Sequence, residues 1–140
     1  MSTERRNILT VEKGIIVHQV NCMGVMGSGL AKSIREKWPV VFQQYKNKPP
    51  VLGDIQMVSV ATGLVVCNLA GQDRYGKDAV HTDYTAVRSG LKKLSDWNTS
   101  KLTIHIPHKM SCGLGGGGWS MISDIIDEEL VDHTVIICEL

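Results

Sequence analysis

Hydrophobic residues along the chain form short runs rich in Val and Ile, separated by glycine, asparagine and charged residues. Such runs are typical of β-strands. They predict strands at Ile8–Val11, Ile15–Val20, Ile55–Val60, Leu64–Ala70, Leu102–Ile106 and Thr134–Cys138. The near-continuous apolar run at Leu64–Ala70 suits a central strand covered on both faces. The alternating run at Ile55–Val60 precedes Ala61-Thr-Gly63, which indicates a hairpin turn and some antiparallel pairing.

Three other segments place apolar residues every three or four positions, which is the spacing of one helix face. The first spans Leu30–Tyr45, where Pro39 either kinks the helix or starts a second one. The second spans Tyr84–Leu94 and follows Asp83, a good capping residue. The third spans Ile122–Leu130. This order of elements predicts an α/β chain in which a mixed sheet is sandwiched between helices.

The length of 140 residues predicts a single domain spanning residues 1–140. A net charge of +1 argues against a dedicated nucleic-acid-binding surface, which usually carries a basic excess. No apolar run approaches the roughly 18 residues that cross a bilayer, and the N-terminus does not resemble a signal peptide. Cys22, Cys67, Cys112 and Cys138 are far apart, so free thiols are expected. The sequence therefore predicts a cytoplasmic protein without membrane contact.

Two glycine-rich loops each follow a predicted strand and open a predicted helix. They are Asn21-Cys-Met-Gly-Val-Met-Gly-Ser-Gly-Leu-Ala31 and Ser111-Cys-Gly-Leu-Gly-Gly-Gly-Gly-Trp119. Glycine lets a ligand approach the backbone closely, and the N–H groups of a helix start attract an anion. We expect two such loops on neighbouring strands to hold a diphosphate, although glycine loops also serve as simple tight turns.

Three other motifs give weaker indications of function than the glycine loops. The segment Gly71–Lys77 approximates a nucleotide-binding phosphate loop, but Asp78 stands where magnesium ligation needs Ser or Thr. Cys112 heads a loop like that of cysteine phosphatases, which also need an arginine that this loop lacks, so a small buried residue is the better interpretation. His105 and His108 have the spacing of a metal-binding pair, but nothing requires their side chains to converge.

Four segments together carry a family resemblance. The segment Val20–Ala31, the segment Ile106–Trp119, Asn68-Leu-Ala-Gly-Gln72 and Thr82-Asp-Tyr-Thr-Ala86 resemble the corresponding parts of macro domains. The likeness covers nearly the whole chain. It is strongest to the branch that contains ADP-ribose-1''-phosphate phosphatases, terminal ADP-ribose glutamate hydrolases and DNA de-ADP-ribosylating antitoxins.

The resemblance implies a three-layer α/β/α sandwich with a mixed, mostly parallel central sheet and a cleft for ADP-ribose. It implies that Asn21 approaches the distal ribose and that Asn21 and His18 take part in catalysis. Binding roles fall on residues of the two loops and their flanks, namely Val20, Gly27, Ser28, Gly29, Leu30, Ala31, Lys109, Ser111, Cys112, Gly113, Leu114, Gly115, Gly116 and Gly117.

The chain also departs from the sequence pattern of these families. It lacks the lysine that the glutamate hydrolases carry after the central strand, and Gly115 stands near the place of their aspartate. Near the first strand, only Glu12 is available in place of an adenine-binding aspartate. The leading hypothesis is hydrolysis of ADP-ribose-1''-phosphate without a cofactor or a metal. The alternatives are an ADP-ribosyl ester hydrolase, a non-catalytic reader of ADP-ribosylated macromolecules, and a phosphate-loop nucleotidase.

Overall fold

The apolar runs of the sequence become the strands of one sheet in the computed structural model, which describes residues 1–75, 81–112 and 116–140. The described residues contain six strands: β1 (Ser2–Arg5), β2 (Gly14–Val20), β3 (Ile55–Ala61), β4 (Leu64–Ala70), β5 (Ile104–Pro107) and β6 (Val135–Glu139). Their order across the sheet is β1-β6-β5-β2-β4-β3. Only the predicted hairpin of β3 and β4 is antiparallel; all other described neighbours run parallel.

Helices cover both faces of this sheet. They are α1 (Gly29–Lys37), α2 (Pro39–Asn47), α3 (Tyr84–Trp97) and α4 (Trp119–Glu129). Pro39 begins the second helix, where its missing N–H and fixed φ are tolerated. The mixed α/β sandwich expected from the sequence is therefore confirmed. No helix within the described ranges combines the length and apolarity that crossing a membrane would require.

The side chains of β2 point alternately to the two faces of the sheet, and each face carries its own hydrophobic core. Ile15 and Val17 pack with α3 and α4 on one face, whereas Ile16 and Val20 pack with α1 and α2 on the other. Successive strand side chains point to opposite faces, so a strand covered on both sides is apolar at nearly every position. The polar residues that interrupt β2, His18 and Gln19, therefore stand out.

The strand predicted at Ile8–Val11 is wrong. A 3₁₀ turn spans Ile8–Thr10, and the edge strand lies earlier, at Ser2–Arg5. The side chain of Asn7 accepts a hydrogen bond from the Leu9 N–H at 3.0 Å, which favours a turn over a strand. Ile8 and Val11 are nonetheless buried, so their apolarity reflects burial rather than strand pairing.

Candidate ligand-binding cleft

A cleft of about 610 Å³ opens at the carboxyl ends of β2 and β5, where the glycine loops begin. Ligands of open α/β sheets bind in such crevices. None of the described side chains that line the cleft is a carboxylate, which suits an anionic ligand. The lining consists of His18, Gln19, Asn21, Val25, Met26, Gly27, Ser28, Gly29, Leu30, Ala31, Gln72, Tyr75, Pro107, His108, Lys109, Met110 and Ser111.

The structure brings many of the predicted site residues to this cleft. Those that line it are His18, Asn21, Gly27, Ser28, Gly29, Leu30, Ala31, Lys109 and Ser111. Val20 instead packs in the core beside α1 and α2, and Cys112 packs against the opposite core. Gly116 and Gly117 belong to the second loop but do not line the cleft. Gly113, Leu114 and Gly115 lie outside the described residues, as do Gly76 and Lys77 of the approximate phosphate loop.

Asn21 shapes the first loop through its side-chain amide. Its Nδ2 donates to the main-chain oxygen of Val25 at 2.9 Å, and its Oδ1 accepts from the N–H of Met23 at 2.9 Å. The hydroxyl of Tyr45 is a further donor to Oδ1. Asn21 lines the cleft but has most of its hydrogen-bonding capacity committed to the loop itself.

His18 lies at the bottom of the cleft and is only 2% exposed. Its Nε2 is 2.5 Å from Oδ1 of Asn68 on the adjacent strand. Burial lowers the pKa of His18 to about 4, and the hydrogen bond with Asn68 opposes this shift only in part. The imidazole is therefore neutral at neutral pH and contributes a hydrogen-bonding group rather than a positive charge.

Gln19 connects the loops around the cleft. Its Nε2 donates to Oε1 of Gln72 at 2.7 Å and to Oγ1 of Thr82 at 3.0 Å, and its Oε1 accepts from Oγ of Ser111 at 2.5 Å. The hydroxyl of Thr82 in turn donates to the main-chain oxygen of Ser111 at 2.9 Å. The partners belong to segments that follow β4 and β5. A half-buried amide thereby joins both segments to β2.

Sequence reasoning missed Gln19 and Gln72. The available signal was a polar residue at the carboxyl end of an otherwise apolar strand, directly before a glycine loop. That signal marks Gln19 as a candidate but does not identify its partners.

The backbone at the start of the second loop is unusual. Lys109 has φ 61° and Ser111 has φ 72°, the left-handed region that non-glycine residues rarely occupy. Such conformations cost about 1–3 kcal/mol each and cluster at functional sites. The N–H of Gly117 donates to the main-chain oxygen of Ser111 at 2.7 Å. A Cβ on Gly117 would lie 2.6 Å from that oxygen, so this close approach requires glycine.

The helices that follow the two glycine loops lack side-chain caps. Ser28 before α1 and Gly118 before α4 make no side-chain capping hydrogen bond, whereas Asp83 accepts from the N–H of Ala86 at 3.0 Å and caps α3. The first N–H groups of a helix have no intrahelical partner. An anion near Ser28, which lines the cleft, would meet such groups together with the helix dipole.

Three further residues with reactive side chains, two histidines and a cysteine, lie in different environments. His105 is buried, and its Nδ1 is 3.0 Å from the main-chain oxygen of Ile15. His108 lines the cleft, with Nδ1 3.6 Å from a carboxylate oxygen of Glu139. Burial raises the pKa of the Cys112 thiol despite the opposing charge of Lys109, which disfavours a thiolate nucleophile.

Comparison with known proteins identifies the fold. No protein-family model matches the chain. A curated relative, an uncharacterized 17.5 kDa protein from the tk-vs intergenic region of Enterobacteria phage T4, is 27% identical over 80% of this chain and 77% of its own length. A crystal structure of a protein from Bacteroides thetaiotaomicron is 28% identical, with a TM-score of 0.90 over 100% of this chain and 99% of its own.

Two solved macrodomain-related structures are more distant in sequence. A macrodomain protein from Streptomyces coelicolor is 24% identical, with a TM-score of 0.80 over 99% of this chain and 98% of its own. Thermosipho africanus DarTG, solved in complex with ADP-ribose, is 23% identical, with a TM-score of 0.74 over 91% of this chain and 38% of its own. The fold of this protein is therefore that of a macro domain, as the sequence motifs implied.

Proposed function

We propose that the cleft binds ADP-ribose and that the protein hydrolyses ADP-ribose-1''-phosphate to ADP-ribose and phosphate. The observation that carries the binding proposal is the position of the first glycine loop. It lines a cleft without carboxylates among its described lining residues and leads into a helix whose first N–H groups have no side-chain cap. The complex of the DarTG structure with ADP-ribose supports the same ligand class.

The proposed orientation places the diphosphate between the two glycine loops and the distal ribose near Asn21 and His18. The binding residues are those of the sequence-based hypothesis that line the cleft, with Gln19 and Tyr75 added because they also line it. Lys109 also lines the cleft, and its ammonium group is the proposed cation for the phosphate oxygens. ADP-ribosylated macromolecules are the corresponding larger ligands.

In the proposed reaction, a water molecule attacks phosphorus of the 1''-phosphate. As the water oxygen bonds to phosphorus, the bond between phosphorus and the anomeric oxygen breaks, and the proton that the water gives up passes to that oxygen, which leaves as the 1''-hydroxyl. Neutral His18 positions the water or a ribose hydroxyl, which is the role expected of an imidazole whose pKa is lowered to about 4. No metal or cofactor is part of this proposal.

A non-catalytic reader is the second candidate. The observation that favours it is the low basicity of His18, together with the commitment of Asn21 to hydrogen bonds inside its own loop. Both residues would then recognise ADP-ribose without transferring protons. Binding would be common to both functions, and only turnover would separate them.

Calorimetric titration with ADP-ribose, using ATP and AMP as controls, tests the binding proposal. We expect selective micromolar affinity for ADP-ribose, and absence of binding would overturn the proposal. Phosphate release from ADP-ribose-1''-phosphate then tests turnover. The variant His18→Ala should lower turnover more than affinity. If the wild-type protein binds ADP-ribose but releases no phosphate, the phosphatase proposal fails and the non-catalytic reader is the function that remains.

A further inference from the structure

A row of polar side chains crosses three strands on the face of the sheet that α1 and α2 cover. His18 on β2 is the register partner of Asn68 on β4, and Asn68 is the register partner of Gln56 on β3. His18 and Asn68 are 2% and 0% exposed. Neighbouring positions on this face are filled by apolar residues such as Ile16 and Val66. Burying polar groups costs stability unless they are hydrogen-bonded. The presence of polar residues at these buried positions therefore needs an explanation, which apolar residues there would not need.

The row is hydrogen-bonded from end to end. Nε2 of Gln56 lies 3.1 Å from the main-chain oxygen of Gln44 and 3.2 Å from that of Lys48, both at the end of α2. Nδ2 of Asn68 lies 3.1 Å from Oε1 of Gln56. Oδ1 of Asn68 lies 2.5 Å from Nε2 of His18. The chain of contacts therefore leads from a helix end to the bottom of the cleft.

The two carbonyl groups at the end of α2 set the direction of every hydrogen bond in this row. A main-chain oxygen only accepts, so the side chain of Gln56 must present its NH₂ group to α2 and its Oε1 to Asn68. Asn68 must then donate through Nδ2 to Gln56, which turns its Oδ1 toward His18. An oxygen that only accepts requires a donor, so His18 carries its proton on Nε2.

The opposite nitrogen of His18 is left as an acceptor. Nδ1 is buried and has no hydrogen-bond partner among the described residues. An imidazole nitrogen that bears no proton accepts a hydrogen bond, and it repels an anionic oxygen that brings no proton. His18 lines the cleft while Nδ1 itself is closed off from solvent, so the group that would match Nδ1 is small and uncharged, namely a hydroxyl or a water molecule.

We infer that Asn68, held by Gln56, is a positioning residue that fixes His18 as its Nε2–H tautomer, with Nδ1 as the acceptor for a ligand hydroxyl or a water molecule. The tautomer part of this inference stands without the proposed function. The ligand part rests on it, because ADP-ribose is the source of the hydroxyl groups. Burial supports the neutral state of the ring, since it holds the pKa of His18 near 4.

Nitrogen-15 NMR of the histidine side chains in the full chain tests the tautomer directly, because protonated and unprotonated ring nitrogens have distinct chemical shifts. We expect Nε2 of His18 to be protonated and Nδ1 unprotonated at pH 7. A spectrum in which Nδ1 carries the proton, or in which both nitrogens do, overturns the inference. This measurement needs neither a ligand nor activity.

Variants of Asn68 separate positioning from support of the fold. Asn68→Asp keeps an acceptor for Nε2–H, so Nε2 should stay protonated, and its carboxylate should favour a second proton on Nδ1. Asn68→Leu should give a mixture of both tautomers. Asn98→Leu is the matched control, because Asn98 is 1% exposed and its Nδ2 is 3.2 Å from Nδ1 of His133. The control should lower stability without changing the His18 spectrum. An unchanged His18 tautomer in folded Asn68→Leu overturns the positioning role, and if that variant does not fold, the wild-type and Asn68→Asp spectra decide.

Addition of ADP-ribose tests the ligand part. We expect the Nδ1 resonance of His18 to shift on saturation, and Asn68→Leu to bind ADP-ribose up to about tenfold more weakly, the effect of one misdirected neutral hydrogen bond. Binding without a shift of Nδ1 overturns the ligand part while the proposed function stands. Absence of ADP-ribose binding, with the tautomer as expected, overturns the proposed function and the ligand part but leaves the role of Asn68 intact.

Discussion

The hydroxyl of Tyr45 on α2 lies 2.5 Å from the main-chain oxygen and 2.6 Å from Oδ1 of Asn21, at the root of the first glycine loop. Tyr45 is fully buried. Burial raises its pKa to about 12, although the main-chain amides of Gly24 and Val25 oppose the shift, so the hydroxyl remains a donor at all physiological pH values. A single phenol thus attaches the ligand-facing loop to the helix layer beneath it.

Removal of this hydroxyl should loosen the loop. We expect Tyr45→Phe to lower the free energy of unfolding by about 1–3 kcal/mol, because the two buried oxygens of Asn21 that share this single donor lose it. It should also weaken ADP-ribose binding, because Asn21 would lose the contact that attaches it to α2. Urea unfolding and calorimetric titration measure the two effects.

Ser89→Ala is the control for Tyr45→Phe. The hydroxyl of Ser89 donates to the main-chain oxygen of Gly53 at 3.0 Å, and neither residue lines the cleft. This variant should lose stability without losing affinity. Equal affinity losses in both variants would show that general loosening, rather than the loop, accounts for the effect of Tyr45.

A carboxylate placed in the first loop should block an anionic ligand. Gly27 suits this test, because a Cβ there would meet only Cγ1 of Val25 at 3.9 Å and its φ is not in the left-handed region. We expect Gly27→Glu to weaken ADP-ribose binding by roughly tenfold or more, since like charges a few ångströms apart repel by about 1–4 kcal/mol. Calorimetry and thermal unfolding would show a loss of affinity with little change in Tm.

Gly27→Gln is the neutral match for Gly27→Glu and should retain more of the affinity. If both variants lose binding equally, size rather than charge is responsible, and the anion assignment of the loop fails. Gly117 is a poorer position for this test, because its Cβ would lie 2.6 Å from the main-chain oxygen of Ser111 and would move the backbone.

Replacement of Gln19 by Leu should uncouple the loops around the cleft. The change removes the donors to Gln72 and Thr82 and the acceptor for Ser111. We expect faster hydrogen exchange at the amide of Gly117, which donates to the Ser111 oxygen. The amide of Ile104 donates to the Thr134 oxygen at the far end of β5 and serves as the internal reference. Unchanged exchange at Gly117 would contradict a coupling role for Gln19.

Acid should destabilise the protein through His18. Its pKa is lowered from 6.5 to about 4 in the folded state, so between these pH values the unfolded chain binds more protons. Stability is therefore retained above about pH 6.5 and is lost as the pH falls, by about 3 kcal/mol near pH 4. Urea unfolding of the wild type and of His18→Gln between pH 4.5 and 7.5 measures this difference.

The comparison with His18→Gln isolates one histidine. Burial also lowers the pKa of His105 and His133, and both residues are present in each protein. Their contributions therefore cancel in the difference between the two curves. Parallel stability curves would mean that His18 is not the buried neutral histidine that the structure describes.

Periodicity predicted the helices and most of the strands because burial of one or two faces controls which positions are apolar. It missed β1, whose four residues Ser2–Arg5 are all exposed and are held by pairing with β6 rather than by side-chain packing. It placed a strand at Ile8–Val11 because buried residues in a turn have the same composition as a short strand. A strand that is held only by main-chain pairing at the edge of a sheet does not need hydrophobic side chains, so the hydrophobic pattern does not predict it.

The candidate site was predictable only in part, for a similar reason. Glycine loops are local in sequence, so Gly27 and Ser28 could be placed from the sequence alone. The partners of Gln19 are 53, 63 and 92 residues away, and Asn68 is 50 residues from His18. A single sequence does not show which distant polar residues meet. The tautomer of His18 and the coupling of the loops therefore needed the three-dimensional arrangement.

The pairing of β1 with β6 also constrains how the chain folds during synthesis. Ser2 pairs in register with Ile136 and Arg5 with Glu139, so β1 is synthesised before the other five described strands and yet pairs with the last of them. The inner strands β2, β4 and β5 meet earlier, since all of them precede residue 108. A strand that waits unpaired risks joining another chain by its open edge, and polar or charged side chains reduce that risk. The polar and charged side chains of Ser2–Arg5 reduce this risk of aggregation in the nascent protein. The same polarity is the reason why the hydrophobic pattern did not predict this strand.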